Sequence, residues 1–408
     1  MAKGIKRVCY KKKRCSLVWV INILALFLIS LKVFGLSNHI ILIWVLLFEI
    51  YFAIEEKKIL FDKKALLLLL CMTIHTLNYK LFGEKLTFGK CLDLILLPVG
   101  FYLMGKQMVY FPIKGKISVQ RLRVVVVSIL LGQIILSGLE LYAYFRDPNY
   151  PLRVWADFWK GEELYATEYS FYAVIWVSLL FYSIWIIRKK WKLGLGLIVG
   201  IIIISYMNVL NGNRMNLGIM LVVFVFSFTL LLFLNRRNPK KIRIFLVAFV
   251  CFVGAIGLLI KMNVGGIQKE PYFQRLLILW HNERFEIYKD VLHQMPLHLW
   301  GGTQMELGSY GHAHNMWLQM YNDTGIITFT LMVGFTVFSL TDHIQIIIRE
   351  AVETEIKYLL SAISLGLLLY LTFEVGGRGV PDFIMLYTFF AGITAEIVNV
   401  SRNKKKDL

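Results

Sequence analysis

Apolar stretches separated by short polar segments repeat along the whole chain. An α-helix needs about 20 apolar residues to cross a hydrocarbon core of about 30 Å, and many of these stretches approach that length. The pattern predicts an all-α polytopic membrane protein with about twelve membrane-spanning helices. The predicted spans are 17–36, 40–54, 65–79, 91–105, 122–142, 170–187, 194–210, 215–234, 242–262, 325–348, 357–374 and 380–400.

The composition supports this interpretation of the pattern. Of the 408 residues, 58% are hydrophobic and 17% are charged, whereas soluble domains carry about 25% charged residues. Little of the chain remains outside the apolar stretches, so residues 1–408 are predicted to form a single transmembrane domain. The five cysteines lie in the basic N-terminal tail, within spans or at a span edge, so neither a structural disulfide nor a cysteine metal site is expected.

The distribution of Lys and Arg predicts the orientation of the chain. About two thirds of the 45 Lys and Arg residues lie in the two tails and in alternate loops between spans. Because loops rich in Lys and Arg stay in the cytoplasm, both termini are expected there. The same rule accounts for the net charge of +19 without a nucleic-acid partner. Two long loops, 143–169 and 263–324, are then left on the outer face.

The second outer loop is the more informative of the two, because long ordered loops in compact proteins are commonly functional. Residues 274–292 have helical spacing, which predicts an interfacial helix with its apolar face on the membrane surface. Pro296 and the pair Gly301–Gly302 are expected to end this helix and turn the chain. The predicted apolar face carries Leu277, Trp280, Arg284, Tyr288 and Val291.

Histidines cluster where this loop returns to the membrane. His312, His314 and Asn315 lie shortly before the predicted span 325–348. A neutral imidazole can accept a proton near neutral pH, so either histidine is a candidate general base. A structural histidine that hydrogen-bonds to loop backbone is the alternative for both residues.

The spacing of these residues resembles a known motif. His314 and Asn315, nine further residues, and then Gly325-x-x-Thr328 resemble the signature of the O-antigen ligase and O-antigen polymerase superfamily. The resemblance covers roughly residues 211–328 at the level of motifs, and only span count and topology extend it to the rest of the chain.

Two upstream segments add to the resemblance. Arg284–Tyr288, followed by Pro296 and Gly301–Gly302, resembles the arginine-plus-aromatic segment and Pro…Gly turn that precede the signature in this family. Asn211-Gly212-Asn213-Arg214 resembles the family's Gly-x-Arg element. The chain departs from the family where Tyr288 replaces a tryptophan and Asn213 replaces a small residue.

The resemblance implies a GT-C-like fold and a glycosyltransferase in a bacterial cytoplasmic membrane, acting on its outer face without a metal or cofactor. Members transfer a glycan from an undecaprenyl-diphosphate carrier to a sugar hydroxyl. We therefore expect polymerisation of lipid-linked repeat units into a capsule, an exopolysaccharide or an O-antigen. His314 would act as base, and Arg214 and Arg284 would stabilise the diphosphate, since a guanidinium matches phosphate oxygens. Further candidates for substrate contact are His312, Asn315, Arg275, Lys261 and Arg378.

Several alternatives stay open at this point. A ligase of the same superfamily shares the motif, and a flippase or secondary transporter fits the span count but not the lopsided arrangement of loops. The resemblance further implies membrane lipids, a flippase and a chain-length regulator as partners beside the lipid-linked donor and acceptor.

The basic residues also have structural explanations. Arg214 fits a snorkelling arginine at a helix end, and Arg284 fits a salt bridge to Glu283 or Asp290. Lys261 and Arg275 fit contacts with lipid headgroups, and Arg378 fits pairing with nearby carboxylates.

Overall fold

The computed structural model describes residues 17–32, 37–82, 86–110, 118–146, 154–156, 158–159, 163–210, 213–236, 243, 254, 261–263, 283–301, 305, 312–373 and 381–406. The first part contains α1 (Leu17–Ser30), α2 (Asn38–Glu56), α3 (Lys63–Phe82), α4 (Phe88–Tyr110), α5 (Val119–Arg146), β1 (Val154–Ala156), β2 (Glu163–Tyr165), α6 (Ala166–Ser178) and α7 (Leu180–Ile187). The second part contains α8 (Trp191–Leu210), α9 (Met215–Leu234), α10 (Glu283–Gln294), a 3₁₀ turn (Met295–Leu297), α11 (Met316–Thr324), α12 (Ile326–Ile348), α13 (Thr354–Phe373) and α14 (Pro381–Lys406).

The chain is a multi-pass membrane protein built from helices. Among the described residues, eight helices are long and apolar enough to cross a membrane. They are α2, α4, α5, α8, α9, α12, α13 and α14. Apart from the three-residue strands β1 and β2, the described elements are all helical, as the apolar pattern predicts.

The other four predicted spans differ from the prediction in separate ways. The span predicted at 17–36 contains the shorter helix α1. The span predicted at 65–79 is the 20-residue helix α3, which is not among the eight helices apolar enough to cross a membrane. The span predicted at 170–187 breaks at Leu179 into α6 and α7, where the Ser178 hydroxyl donates to the Val174 carbonyl and so favours a bend. The span predicted at 242–262 lies largely outside the described residues. The total of twelve therefore stays a prediction.

Small residues let two of the central helices approach closely. α4 and α14 cross with Gly105 against the Phe389 carbonyl and Gly392 against the Tyr102 carbonyl. A Cβ atom at either glycine would overlap the facing carbonyl oxygen. Close backbone contact of this kind is the usual way in which membrane helices gain packing energy, since lipid tails are as apolar as leucine side chains.

One end of the bundle gathers ion pairs, and we call it the ion-pair end. The Lys106 ammonium lies 2.7 Å from the Asp62 carboxylate, and Arg123 pairs with Glu355. Burial opposes ionisation of Asp62, but its hydrogen bond with Lys106 and others from the Ala65 amide and Tyr102 lower the pKa of its carboxyl below the ordinary value.

The packing of α9 on α13 shows which helix termini lie together at the opposite end of the bundle. Phe181 packs against both Phe224 of α9 and Tyr358 of α13, at 5.7 Å between ring centres in each case. Gly366 of α13 faces Ile219 of α9. The two helices are therefore antiparallel, and the N-terminus of α9 lies at the same end as the C-terminus of α13. We call this the motif end, because the residues of the sequence motif gather there.

A short ribbon lies within the first predicted outer loop, 143–169. β1 and β2 pair antiparallel, with Val154 opposite Tyr165, and α5 and α6 extend into the predicted loop from both sides. Two contacts tie the chain that follows β1 to the bundle. The Phe158 amide donates to the Glu140 carboxylate at 3.1 Å, and the Trp159 indole donates to the Leu31 carbonyl at 3.1 Å.

Candidate active site

The helix predicted within the second outer loop is present, but its apolar face has a different partner. α10 begins at Glu283, and the predicted residues 274–282 lie outside the described part of the chain. Its buried residues Ile287 and Val291 pack against Ala313 and Tyr321 of the motif segment. The expectation that this face rests on the membrane surface is therefore wrong for the described turns, because the chain supplies its own apolar partner.

The end of the predicted loop is a buried helix. Asn315 is the N-cap of α11, and its side-chain oxygen accepts a hydrogen bond from the Leu318 amide at 3.1 Å. Its side-chain nitrogen donates to the Thr372 carbonyl of α13 at 3.0 Å. The motif asparagine thus starts one helix and attaches it to the end of another.

The glycine of the motif permits a close contact between two backbones. Gly325 has φ +84° and lies against the Leu299 carbonyl and Trp300, while Gly301 has φ +73° and lies against the Gly325 and Thr324 backbone. The Ile326 amide donates to the Leu299 carbonyl at 2.9 Å. Both positions require a left-handed conformation and leave no room for a Cβ atom, so glycine is needed at each.

The threonine of the motif, Thr328, lies next to this contact. The Thr328 hydroxyl is 2.5 Å from the Thr324 hydroxyl and 3.1 Å from the Gly325 carbonyl. From α3, His75 reaches the Thr324 hydroxyl at 3.1 Å and the Asn78 amide donates to the Thr324 carbonyl at 3.1 Å. Thr324 therefore anchors the site to α3, and Thr328 of the motif contacts Thr324.

His314 occupies an unusual backbone conformation. Its φ is +46°, a left-handed value that non-glycine residues rarely adopt, and its side chain is buried. The Tyr288 hydroxyl donates to its carbonyl at 2.8 Å, and the preceding Ala313 amide donates to the Gln319 side-chain oxygen at 2.7 Å. The rings of His314 and His312 are 4.1 Å apart between centres, so the two candidate bases adjoin one another.

Arg284 lies at the C-terminus of α13. Its Nη1 donates to the Phe373 carbonyl at 2.6 Å, and the Tyr288 hydroxyl one turn later lies 3.0 Å from the Thr372 carbonyl. A cation is favoured at a helix C-terminus because the helix dipole is negative there. This contact fixes the guanidinium at the motif end, on the same helix terminus that Asn315 contacts.

Arg214 lies at the motif end as well. Ile219 of α9 and Gly366 of α13 face each other and so lie at the same level along the bundle. At a rise of 1.5 Å per residue, Arg214, which immediately precedes α9, lies about 7.5 Å from Ile219 along the helix axis. Phe373 lies about 10.5 Å from Gly366 in the same direction. The adjacent Asn213 stabilises this turn by accepting a hydrogen bond from the Met215 amide at 3.0 Å. The antiparallel packing puts Arg214 at a similar height to Phe373 and hence to Arg284.

The remaining predicted site residues are less informative. Lys261 is exposed, and no described contact links it to the histidines. Arg275 and Arg378 lie outside the described residues, as do Asn211 and Gly212.

Sequence reasoning missed two buried polar residues of α11. The Gln319 side-chain nitrogen donates to the Asp323 carboxylate at 2.7 Å, and both side chains are 5% exposed. Their four-residue spacing puts them on one helical face, which was the available signal.

Tyr321 connects α11 to the turn after α10. Its hydroxyl donates to the Met295 carbonyl at 2.5 Å, and burial raises the pKa of this hydroxyl, so it remains a donor.

Within the described part of the chain, His, Cys, Asp and Glu side chains form no group of three or more that could hold a metal ion.

Comparison with protein-family models finds no match for the chain, and comparison with curated proteins finds none either. The resemblance to O-antigen ligases and polymerases therefore rests on the motif residues alone.

Proposed function

We propose that the protein is a glycosyltransferase that polymerises undecaprenyl-diphosphate-linked repeat units of a surface polysaccharide at the outer face of a bacterial membrane. His314, with His312 beside it, is the proposed base. Arg284 and Arg214 are the proposed stabilisers of the diphosphate. Lipid-linked donor and acceptor are the proposed substrates.

The observation that carries this proposal is the meeting of distant motif residues at one helix terminus. Tyr288, His314 and Asn315 all contact the C-terminal turn of α13, either directly or through one another. Arg284 donates to the same turn. Motif residues that are separated in sequence therefore adjoin in space, as a shared reaction centre requires.

The backbone of His314 supports a functional role. A left-handed φ at a non-glycine residue costs about 1–3 kcal/mol and persists only where neighbours hold it, and such residues are concentrated at active sites. Here Tyr288 and Gln319 hold the segment on both sides. Lys32, Lys57 and Asn263 have similar φ values of 48° to 50°, so the conformation supports the proposal through the contacts that hold it at His314.

The proposed chemistry balances with the side chains present. The acceptor hydroxyl oxygen attacks the anomeric carbon of the donor, and its proton passes to a neutral imidazole. The bond between the anomeric carbon and the phosphate oxygen breaks, and undecaprenyl diphosphate leaves with the bonding electrons. A guanidinium stabilises the charge that develops on the diphosphate, and fixing Arg284 through Phe373 prepares it for this role.

An apolar corner beside the site suits a lipid-linked substrate. Leu297 and Trp300, which follow α10, are 76% and 72% exposed. The next residue, Gly301, contacts the Gly325 backbone, so these exposed apolar side chains lie beside the motif. Tryptophan is common at the level of lipid headgroups, where a diphosphate would also lie.

The proposal is tested by replacing the gene in its host with a His314→Ala version and separating the surface glycan and the lipid-linked pool on a gel. We expect single repeat units to persist while the ladder of longer chains disappears. His293→Ala is the matched control, because His293 is an exposed histidine of α10, and it should leave the ladder unchanged.

Two other outcomes would contradict the proposal. Accumulation of long lipid-linked chains that never reach their final acceptor would indicate a ligase. A normal ladder with the His314→Ala protein present at wild-type level would remove His314 from the mechanism.

A further inference from the structure

We infer that Gln319 and Asp323 form a positioning pair that holds the two histidines in place through the Ala313 amide. The catalytic consequence of this pair rests on the proposed function, whereas its structural consequence does not. The Ala313 N–H donates to Gln319 Oε1 at 2.7 Å, and Gln319 Nε2 donates to Asp323 Oδ1 at 2.7 Å.

The chemistry of the three groups fixes the orientation of the Gln319 amide. An ionised carboxylate can only accept hydrogen bonds, so Asp323 must face the NH₂ group of Gln319. The carbonyl oxygen of Gln319 must then point the other way, towards the Ala313 N–H. Asp323 thus acts on the histidine segment through the glutamine.

These hydrogen bonds hold the backbone segment that carries the two histidines. Ala313 lies between His312 and His314 and is fully buried, so water cannot replace the contact with Gln319. The next residue, His314, has the left-handed φ of +46°. Loss of the Ala313 contact would let this segment relax towards an ordinary conformation and move both imidazoles.

A single isosteric substitution separates this role from packing. In Gln319→Glu the new carboxylate can still accept from the Ala313 amide, but its second oxygen faces the Asp323 carboxylate. Two carboxylates at this distance must share a proton, as paired carboxylates do elsewhere. The variant should hold the segment at low pH, where the proton is shared, and lose it as the pH rises.

A second substitution should reverse the effect. When Asp323→Asn is added to Gln319→Glu, it supplies an NH₂ group that can donate to the second oxygen of the introduced carboxylate. The double variant therefore restores the hydrogen bond between positions 319 and 323 with the donor and acceptor exchanged, and it loses only the longer contact of 3.5 Å from the Asn322 side-chain nitrogen to Asp323 Oδ1. Asp323→Asn alone should be near wild type, because an asparagine oxygen can accept from Gln319. We therefore predict that Asp323→Asn rescues the defect of Gln319→Glu, although both substitutions change the side-chain shape very little.

The other titratable groups near the pair are the same in all four proteins, so they cannot produce a difference between variants. Among the residues whose side chains are described, the titratable groups on the elements packed against α11 are Lys63, Lys64, Cys71, His75, Tyr79 and Lys80 of α3, Arg284, Glu286, Tyr288, Lys289, Asp290 and His293 of α10, Asp342 and His343 of α12, and Glu355, Lys357, Tyr358 and Tyr370 of α13. Tyr321 of α11 and the two histidines of the segment, His312 and His314, complete the set.

The experiment compares wild type, Gln319→Glu, Asp323→Asn and the double variant, each purified whole in detergent, between pH 5 and pH 8. The first readout is the thermal unfolding midpoint, which needs no substrate. The second is elongation of lipid-linked oligosaccharide extracted from a host that lacks the gene. We expect Gln319→Glu to be near wild type at pH 5 and about 10²-fold slower at pH 8, with a lower midpoint there. The double variant should be within about 3-fold of wild type at both pH values, since the contacts of residue 319 with the Ala313 amide and with residue 323 are restored.

Two results would overturn the inference. One is a Gln319→Glu protein with wild-type rate and midpoint at pH 8, and the other is a double variant no better than Gln319→Glu in either readout. If Gln319→Glu does not fold, recovery of folding in the double variant supports the pair, and its absence refutes it. Failure of the proposed function is a separate result, because inactivity of the wild type leaves the unfolding midpoints to decide on the pair.

Discussion

His314 combines a strained backbone with a side chain able to carry a proton. Its left-handed φ is held by Tyr288 at its carbonyl and by Gln319 at the preceding amide. Asn315 then begins α11 and fixes the other side of the residue. The sequence motif includes both His314 and Asn315, and the structure shows that Asn315 and Gly325 build the framework of the segment. His314 stays the proposed reactive group.

This separation predicts different results for two substitutions at His314. Asparagine adopts the left-handed conformation more readily than most residues but is no general base, so His314→Asn should lose transfer by about 10²–10⁴-fold with little change in stability. Valine resists this conformation, so His314→Val should also lose about 1–3 kcal/mol of unfolding free energy. Thermal unfolding and elongation of extracted lipid-linked oligosaccharide measure the two effects. Equal stability of the two variants would argue against a strained His314 backbone.

The sequence predicts helices well where the apolar pattern is continuous, and poorly where tertiary contacts determine whether a helix forms or where it ends. The span predicted at 215–234 matches α9 at both ends. α11 falls within the predicted outer loop, because its Gln, Asn and Asp residues look polar although hydrogen bonds to one another and to the Ala313 amide allow them to be buried. The break at Leu179 and the ribbon of β1 and β2 depend on local hydrogen bonds that hydrophobic periodicity does not report.

At the level of elements, the contact between Gly301 and Gly325 joins the turn after α10 to the junction of α11 and α12. Gly325→Ala should cost about 1–3 kcal/mol or more, because the methyl group overlaps the Leu299 carbonyl and φ is +84°. Gly218→Ala is the matched control, since Gly218 of α9 has nothing within 4 Å of its Cβ position. It should be neutral or stabilising by about 0.4–1 kcal/mol. Equal unfolding midpoints for the two variants would contradict the proposed junction.

At the scale of the whole molecule, the two ends of the bundle are chemically different. The ion-pair end holds partly buried pairs such as Lys106–Asp62 and Arg123–Glu355, and the motif end holds the histidines. The sequence predicted that loops rich in Lys and Arg would share one side, and the antiparallel packing of α9 and α13 agrees with such alternation. Sequence could not pair Arg284 with Phe373, since a helix terminus carries no distinctive pattern. The four-residue spacing of Gln319 and Asp323 could indicate their pairing, but not the contact of Gln319 with the Ala313 amide.

The predicted orientation can be tested with single cysteines in a protein whose five native cysteines are replaced by alanine. Trp300→Cys reports on the motif end and Lys190→Cys on the ion-pair end, and both native residues are exposed. In intact cells a membrane-impermeant maleimide should label Trp300→Cys and not Lys190→Cys, because basic loops stay in the cytoplasm. Permeabilised cells should show both labels. The reverse pattern in intact cells would put the histidines in the cytoplasm and exclude an outer-face enzyme.

The central claim is that His314 belongs to a glycosyl-transfer site, and reconstitution tests it most directly. Purified wild type and His314→Asn would be incubated with lipid-linked oligosaccharide from a host lacking the gene, and the products separated by length. The account predicts elongated lipid-linked products with wild type and a loss of about 10²–10⁴-fold with His314→Asn. No elongation by folded wild-type protein, or equal elongation by both proteins, would contradict it.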